Sequence, residues 1–425
     1  MKAGNEESQQ PKACGAIEAS FRENIHMMLL TCNKQPAEIN PTRYPLTPSM
    51  KYLSLLFRAV FAISLGTAAS HADTVAIPQL NSKGDVYKSE GVTDPLIYDD
   101  AVGKKTVIML YLDFVDAEMA YDTRERGKQI LGGQTFQKLF ADQSYGKLSI
   151  DIKHVHGWRR MPGKAGDYSS KTTDSHREMF VQVFALYPEI DFREYDYINA
   201  NMPRIGNTAF GERAEIAIPY RGEKIKVAMN LSSPSPYVFA HEVGHLMGLP
   251  DLYTYGGVEG PKNPAGMWDL MSSAGNSGGF LGWHRHKLEW LDANRKTYLT
   301  KGDTKLTLTP LDADSGISMV VIPVDDPAHP SKVFVIEVGQ ERRFGKGKGK
   351  DKGKTTDTGG VLVYTVDASL VSGHNPVVVF PKETISKAPF HPGDSFEHTE
   401  APFTMEVLGG SKEEGYQLDI RFVDN

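Results

Sequence analysis

The sequence predicts an α+β fold, in which a region with a twisted sheet and a helix bearing two histidines is followed by an antiparallel β-rich region. Three observations support this prediction. TVIMLYLDF, residues 106–114, is apolar and β-branched and has the length of a central buried strand. Segments with helical spacing follow at 123–142 and 174–186. Beyond Lys301 the chain consists of short β-like runs with regular turn signals, which are typical of an antiparallel sheet or sandwich.

Residues 50–72 have the pattern of a secretory signal peptide. A positive flank ending at Arg58 precedes an apolar stretch at 59–69, and small residues lead to a cleavage site after Ala72. The apolar run is about half of the roughly 20 residues that a membrane-spanning helix needs. An uncleaved anchor is the alternative. We therefore expect a protein that is secreted, either extracellular or exported across the inner membrane, with no permanent membrane span after cleavage.

The segment before this pattern, residues 1–49, is polar and holds both cysteines of the chain, Cys14 and Cys32. Because a signal peptide should begin a chain, we interpret 1–49 as a non-native or disordered extension and Met50 as the natural start. The chain from Asp73 onward then contains no cysteine. This excludes a disulfide, a zinc–thiolate cluster and a cysteine nucleophile.

The remaining chain divides into three segments. We expect a short N-terminal segment at 73–105, a first domain at 106–300 and a β-rich domain at 301–425, because the character of the sequence changes near residue 300. The run GKGKGKDKGK at 345–354 interrupts the β-rich part and is typical of a solvated loop.

A β-hairpin is predicted immediately before the histidine-bearing helix. AEIAIPY at 214–220 and KIKVAMNL at 224–231 are strand-like runs separated by three turn-forming residues. An exposed strand edge can accept an extended peptide as an additional strand. We expect the 214–220 strand to present such an edge.

Charge and periodicity exclude two broad classes of protein. The 53 acidic residues outnumber the 47 lysines and arginines, and no basic stripe is interleaved with aromatic residues, so a nucleic-acid-binding protein is not indicated. No internal period indicates a repeat array.

The segment SPYVFAHEVGHLMGLPDLY, residues 235–253, carries the residues with the clearest chemistry. His241 and His245 are four residues apart, so on a helix both imidazoles lie on one face and can reach one metal ion. Glu242 follows the first histidine and can lean over an open coordination position. A carboxylate beside the metal can act as general base towards a water molecule.

A third ligand is expected after a sharp turn. Gly248 lies three residues after His245 and lets the chain leave the helix, so that Asp251, six residues after His245, can return to the metal. Glu289 is the alternative third ligand, because another class of zinc peptidase takes a glutamate from a later helix. A surface helix with two solvated histidines is the other interpretation.

Further residues near the motif are candidates for support. Met271, in GMWDLMSSAG, is the candidate for a methionine turn beneath the ligands, with Met267 as its competitor and a simple core role as the alternative. Other residues are considered for an oxyanion or calcium role but are not assigned to one: His284, His286, Tyr253 and Tyr255 for an oxyanion, and the acidic turn at Asp312 and Asp314 for Ca²⁺.

The runs HEVGHLMGLPDLY at 241–253 and WDLMSSAG at 268–275 resemble the immune inhibitor A-type secreted bacterial metallopeptidases, which are relatives of the metzincins. Weaker similarities extend over roughly 106–367. The resemblance implies a metzincin-like catalytic domain and a zinc endopeptidase that acts on proteins or peptides outside the cell. It also implies one Zn²⁺ ion, with His241, His245 and Asp251 as ligands and Glu242 as base.

Two other functions fit parts of the sequence. A secreted binding or adhesion protein could retain a metal site without turnover, although such a site has no need of Glu242. A zinc hydrolase acting on non-peptide amides would carry the same motif, and only a substrate assay distinguishes it.

Overall fold

A computed structural model describes residues 76–82, 88–95, 97–168, 173–203, 209–212, 218–225, 227–230, 235–275, 277–339, 359–381 and 384–423. These residues combine helices with sheets, which confirms the α+β class. Four predictions lie outside the described residues: the 1–49 extension, the signal peptide, both cysteines and the 345–354 loop. Among the described residues, no helix has the length and apolar character needed to cross a membrane.

The helices and strands are numbered in chain order within the described residues. The α-helices are α1 (Thr123–Leu131), α2 (Thr135–Gln143), α3 (Thr173–Ala185), α4 (Pro236–Leu246) and α5 (Gly282–Lys287). The strands are β1 (Gly103–Asp113), β2 (Leu148–His154), β3 (Arg159–Arg160), β4 (Tyr197–Asn201), β5 (Ala209–Glu212), β6 (Ile218–Tyr220), β7 (Glu223–Ile225), β8 (Val227–Asn230), β9 (Lys296–Tyr298), β10 (Thr304–Leu308), β11 (Met319–Pro323), β12 (Lys332–Val338), β13 (Val361–Asp367), β14 (Val377–Val379), β15 (Ser395–Phe396), β16 (Phe403–Ser411) and β17 (Gly415–Phe422).

The predicted central strand is β1, in the interior of a mainly parallel sheet. The sheet has the order β2-β1-β4-β8-β5, with β3 also pairing β1, and β5 is its antiparallel edge strand. Alternate residues of β1 enter two different cores: Val107 and Met109 share one with α4, whereas Ile108 and Leu110 share the other with α3. Burial on both faces accounts for the unbroken apolar run.

The predicted helix at 123–142 is two helices. Gly132 and Gly133 both have positive φ, 58° and 69°, and the left-handed conformation ends α1 before α2 begins. Asp122 caps α1 by accepting a hydrogen bond from the amide of Arg124 at 2.6 Å. The second predicted helix is confirmed as α3.

The predicted hairpin forms from β6 and β7, which are joined by Arg221 and Gly222 with φ values of 48° and 86°. Two consecutive positive φ values match the tight turns that suit the twist of a hairpin. The hairpin is a separate two-stranded sheet. The next strand in the chain, β8, pairs in the main sheet instead. Among the described strands the main sheet ends at β5, and the edge expected at 214–220 stays a prediction because 214–217 lie outside the described residues.

The β-rich part consists of two sheets that pack face to face. One has the order β14-β13-β12-β11-β9, and the other has the antiparallel order β10-β17-β16-β15. Along β12, Phe334 and Ile336 face the second sheet, whereas Val333 and Val335 enter the core that contains α4. The first of these sheets is thus covered on both faces, and residues 70–425 form one compact unit. The domain boundary near residue 300 stays a prediction.

Candidate metal centre

The helix α4 places the two histidines in the protein interior. Pro236 occupies its first turn, where a missing backbone N–H costs nothing. Ser235 occupies the N-cap position, but its side chain makes no capping hydrogen bond. Gly248 follows the helix with φ of 89°, and a Cβ there would meet the Thr93 side chain at 2.6 Å. Glycine is therefore required both by the turn and by the close approach of the N-terminal segment.

Three side-chain atoms converge beyond the end of this turn. His241 Nε2 and His245 Nε2 lie 3.0 Å and 3.3 Å from Asp251 Oδ1, and all three residues are buried. Ligand atoms about 2.0–2.1 Å from a tetrahedral zinc ion lie about 3.3 Å from one another. Asp251 Oδ1 is buried and accepts no hydrogen bond from the part of the chain that the structure describes. The donor set and its spacing therefore fit a metal ion.

The backbone fixes the orientation of both imidazoles. His241 Nδ1 lies 3.0 Å from the carbonyl oxygen of Leu270, and His245 Nδ1 lies 2.8 Å from that of Leu249. Because a carbonyl only accepts, each Nδ1 carries the proton and each Nε2 is left to face Asp251. This is the tautomer that a metal ligand requires.

The two histidines differ in their electrostatic surroundings. Burial lowers the pKa of His241, but the close carboxylates of Asp251 and Glu242 outweigh burial and raise that pKa to about 9. At His245, burial and the charge of Lys88 lower the pKa to about 4 despite Asp251. Glu242 is itself buried, and its charge raises the pKa of His241. It does not belong to the group formed by His241, His245 and Asp251.

Among the described residues, His241, His245 and Asp251 are the one group of three that could hold a metal ion. Glu289, the alternative third ligand, is exposed and lies outside this group. Asp312 and Asp314 are also exposed and belong to no such group, so the structure lends no support to a calcium site there.

Met271 lies beneath the ligands. Its Sδ is 2.7 Å from the position that a Cβ would occupy on Gly244, the residue directly before His245. The backbone carbonyl of Met271 accepts a hydrogen bond from the amide of Leu252, next to Asp251, at 3.1 Å. Met267 is in the same core but makes no such contact with Gly244. The structure therefore favours Met271 as the floor of the site.

His284 is part of a buried ionic chain and not of the metal group. Its Nε2 lies 2.8 Å from Glu90 Oε1 and its Nδ1 lies 2.9 Å from Asp269 Oδ2. Burial lowers the pKa of His284, but the two carboxylates outweigh it and raise the pKa to about 10. His286 accepts a hydrogen bond from Lys296 Nζ at 2.8 Å, and burial and that charge lower its pKa to about 3. Both histidines thus have hydrogen-bond partners outside the metal group.

Sequence reasoning missed two contributors to the site. Glu90 holds His284, and Ser372 accepts a hydrogen bond from the amide of Asp251 at 2.9 Å. Each lies more than a hundred residues from its partner, in a segment with no recognisable motif. The ring of Tyr253, one of the oxyanion candidates, stacks on His241 with centroids 6.3 Å apart.

Comparison with known proteins finds one family. Residues 229–302 match the model of the "Immune inhibitor A peptidase M6, catalytic domain". No curated protein matches the chain. Among solved structures, wild-type OgpA from Akkermansia muciniphila is 10% identical over 76% of this chain and 97% of that chain, with a TM-score of 0.27. Catalytically inactive OgpA in complex with an O-glycopeptide (glycodrosocin) substrate is 11% identical over 82% and 94%, with a TM-score of 0.26. TM-scores this low do not establish a shared fold.

Proposed function

Residues 229–302 belong to the immune inhibitor A peptidase M6 family, as the sequence resemblance predicted, and we propose from this premise that the chain is a zinc-dependent endopeptidase. The observation that supports the proposal is the convergence of two imidazoles, each oriented by a backbone carbonyl at Nδ1, and one buried carboxylate oxygen, with Glu242 beside them. The proposed metal is one Zn²⁺ ion held by His241, His245 and Asp251.

The residues have separable tasks in peptide hydrolysis. His241, His245 and Asp251 would hold the zinc ion, which would supply Lewis acidity and lower the pKa of water. Glu242 takes a proton from the attacking water and delivers it to the departing amine. The Leu270 and Leu249 carbonyls hold the imidazoles in one tautomer throughout, so no proton needs to move on them.

The proposed substrates are proteins or peptides outside the cell, bound in an extended form. The strand β5 packs near α4, and among the described strands it pairs only with β8, so a peptide could add along its other edge as another strand. Secretion is part of the proposal and depends on the signal peptide predicted at 50–72. A metzincin-like arrangement is supported by the Asp251 ligand and by the position of Met271.

The proposal is tested by casein hydrolysis with the chain from Asp73 onward, compared with Glu242→Gln. We expect the unchanged protein to bind about one zinc ion and to lose activity with a strong chelator. Glu242→Gln should keep the zinc ion and lose about 10²- to 10⁴-fold in rate, because general-base catalysis contributes that much. Glu289→Gln serves as the matched control and should keep both properties.

Two outcomes would contradict the proposal. If the unchanged protein and Glu242→Gln both bind zinc and neither cleaves casein or other unfolded proteins, a metal-binding protein without turnover is the better description. If Glu289→Gln loses zinc while Asp251→Asn keeps it, the proposed ligand set is wrong.

A further inference from the structure

The outer oxygen of Asp251 is held by residues beyond the metal group. Asp251 Oδ2 accepts a hydrogen bond from the hydroxyl of Tyr255, and it lies 3.5 Å from Ser372 Oγ. The same Ser372 Oγ accepts a hydrogen bond from the amide of Asp251 at 2.9 Å and lies 3.1 Å from the Tyr255 hydroxyl. One carboxylate oxygen is thereby fixed, and the other is left to face the two histidines.

The backbone joins the same two loops. The amide of Gly373 donates to the carbonyl of Asp251 at 3.0 Å, and the amide of Tyr255 donates to the carbonyl of Gly373 at 2.9 Å. Gly373 has φ of 77°, and a Cβ there would collide with the Tyr255 ring. The Tyr255 ring therefore packs directly on the backbone of Gly373. This packing, together with the hydrogen bond from the Tyr255 amide to Gly373, directs the Tyr255 hydroxyl at Asp251.

The loop that carries Ser372 is anchored at both ends. It follows β13 of the β-rich part, and the amide of Ser372 donates to the carbonyl of Lys88 at 2.8 Å. Its neighbour Val371 forms an antiparallel bridge with Ser89. The hydroxyl of Ser372 is thus positioned by the N-terminal segment and by a strand of the β-rich part, neither of which contains a metal ligand.

We propose that Tyr255 and Ser372 are positioning residues that hold Asp251 as a one-oxygen metal ligand, so that the β-rich part completes the metal centre. The inference rests on the proposed use of a metal by His241, His245 and Asp251. Without these hydrogen bonds the carboxylate can rotate away from the histidines. Removing such an outer partner typically lowers metal affinity by about 10- to 100-fold.

The test is a zinc titration of the full chain from Asp73 against a chromogenic chelator. Tyr255→Phe and Ser372→Ala should each raise the zinc dissociation constant about tenfold or more, and Ser372→Thr, which keeps the hydroxyl, should restore most of the affinity. Ser369→Ala is the matched control, because Ser369 lies in the same connection and its amide and hydroxyl both donate to Asp367 Oδ1 rather than to Asp251. Its zinc affinity should not change.

The outcomes separate the inference from the proposed function. If the unchanged protein binds zinc and cleaves casein while Tyr255→Phe and Ser372→Ala bind zinc equally well, the positioning role is overturned and the proposed function stands. If the unchanged protein binds no zinc, both are overturned. Tyr255→Phe removes only a hydroxyl from a side chain that is 41% exposed, so it keeps the test valid even if Ser372→Ala fails to fold.

Discussion

At the scale of single residues, His284 carries a buried positive charge between two carboxylates. Its two N–H groups donate to Glu90 and Asp269, and Asp269 also accepts hydrogen bonds from the amides of Met271 and Leu281 at 2.7 Å. The same aspartate therefore links this charge to the floor of the metal site. A histidine that stays protonated only in the folded state makes stability depend on pH.

We expect the free energy of unfolding to fall as pH rises from about 6.5 towards 10. Below the ordinary pKa of histidine, His284 is protonated in both states, so its contribution is fully present. Above it the unfolded chain loses the proton while the folded protein, with a pKa of about 10, keeps it. Each pH unit in this window then costs at most about 1.4 kcal/mol. Urea unfolding across this range measures the slope, and His284→Gln should reduce it to the part that His241, with a pKa of about 9, contributes. An equal slope in the variant would contradict the assignment.

Gly244 is predicted to tolerate no side chain. Gly244→Ala would place a Cβ 2.7 Å from Met271 Sδ, so the floor of the site must move. We expect a loss of about 1–3 kcal/mol in unfolding free energy from overpacking, together with weaker zinc binding. Gly275→Ala, where a Cβ meets nothing within 4 Å, is the control and should change stability by less than about 0.5 kcal/mol. Chemical denaturation and zinc titration compare the two, and equal behaviour would refute the packing argument.

The sequence predicted the residues that lie close together along the chain better than those that do not. Helical spacing placed His241 and His245 on one face, and Gly248 allowed Asp251 to follow, because all three lie within eleven residues. Ser372 and Glu90 could not be found in this way. Their contacts depend on how distant segments pack, which local spacing does not encode.

At the scale of elements, β5 is the strand whose role can be tested most directly. Its pairing with β8 uses one edge, and no other strand within the described residues pairs with the second edge. Since successive backbone N–H groups of a strand point to opposite edges, adjacent proline substitutions remove one outward and one inward donor.

We expect Gly211→Pro and Glu212→Pro to behave differently. The substitution that removes the outward N–H should raise KM about tenfold for an extended peptide and leave the folded structure intact, because only pairing with substrate is lost. The other should lower the melting temperature, because it breaks the ladder with β8. Steady-state kinetics and thermal unfolding measure both. Unchanged KM in both variants would exclude peptide pairing at this edge.

Element boundaries were predicted less well than element types. The helix predicted at 123–142 was correct in type but missed the break at Gly132 and Gly133, where consecutive left-handed residues interrupt an otherwise helical pattern. The strand predicted at 224–231 was divided between β7 and β8, which belong to different sheets. Apolar periodicity indicates which residues are buried but not which sheet receives them.

At the scale of the whole molecule, the first β-rich sheet is shared between two cores. Alternate residues of β11, β12 and β13 face α4 on one side and the second sheet on the other. A chain ending at residue 300 would therefore leave the core around α4 open and would lack Ser372.

We predict that a fragment comprising residues 73–300 neither unfolds cooperatively nor binds zinc with the affinity of the longer chain. The loss of apolar contacts from Val321, Val333 and Leu362 exposes the face that packs with α4. Near-ultraviolet circular dichroism during urea unfolding, together with zinc titration, would compare the fragment with residues 73–425. Cooperative unfolding with unchanged zinc affinity would instead establish 106–300 as an independent domain.

The N-terminal segment also limits how the protein can be matured by proteolysis. Between Lys88 and Asp99 it meets three separate parts of the site: its carbonyl at Lys88 binds Ser372, Glu90 holds His284, and the amide of Asp99 bonds to the carboxyl end of α4. A protease that cut between Lys88 and Asp99 would separate some of these contacts from the rest of the chain. We therefore expect any proteolytic processing that keeps the site intact to cut upstream of Lys88.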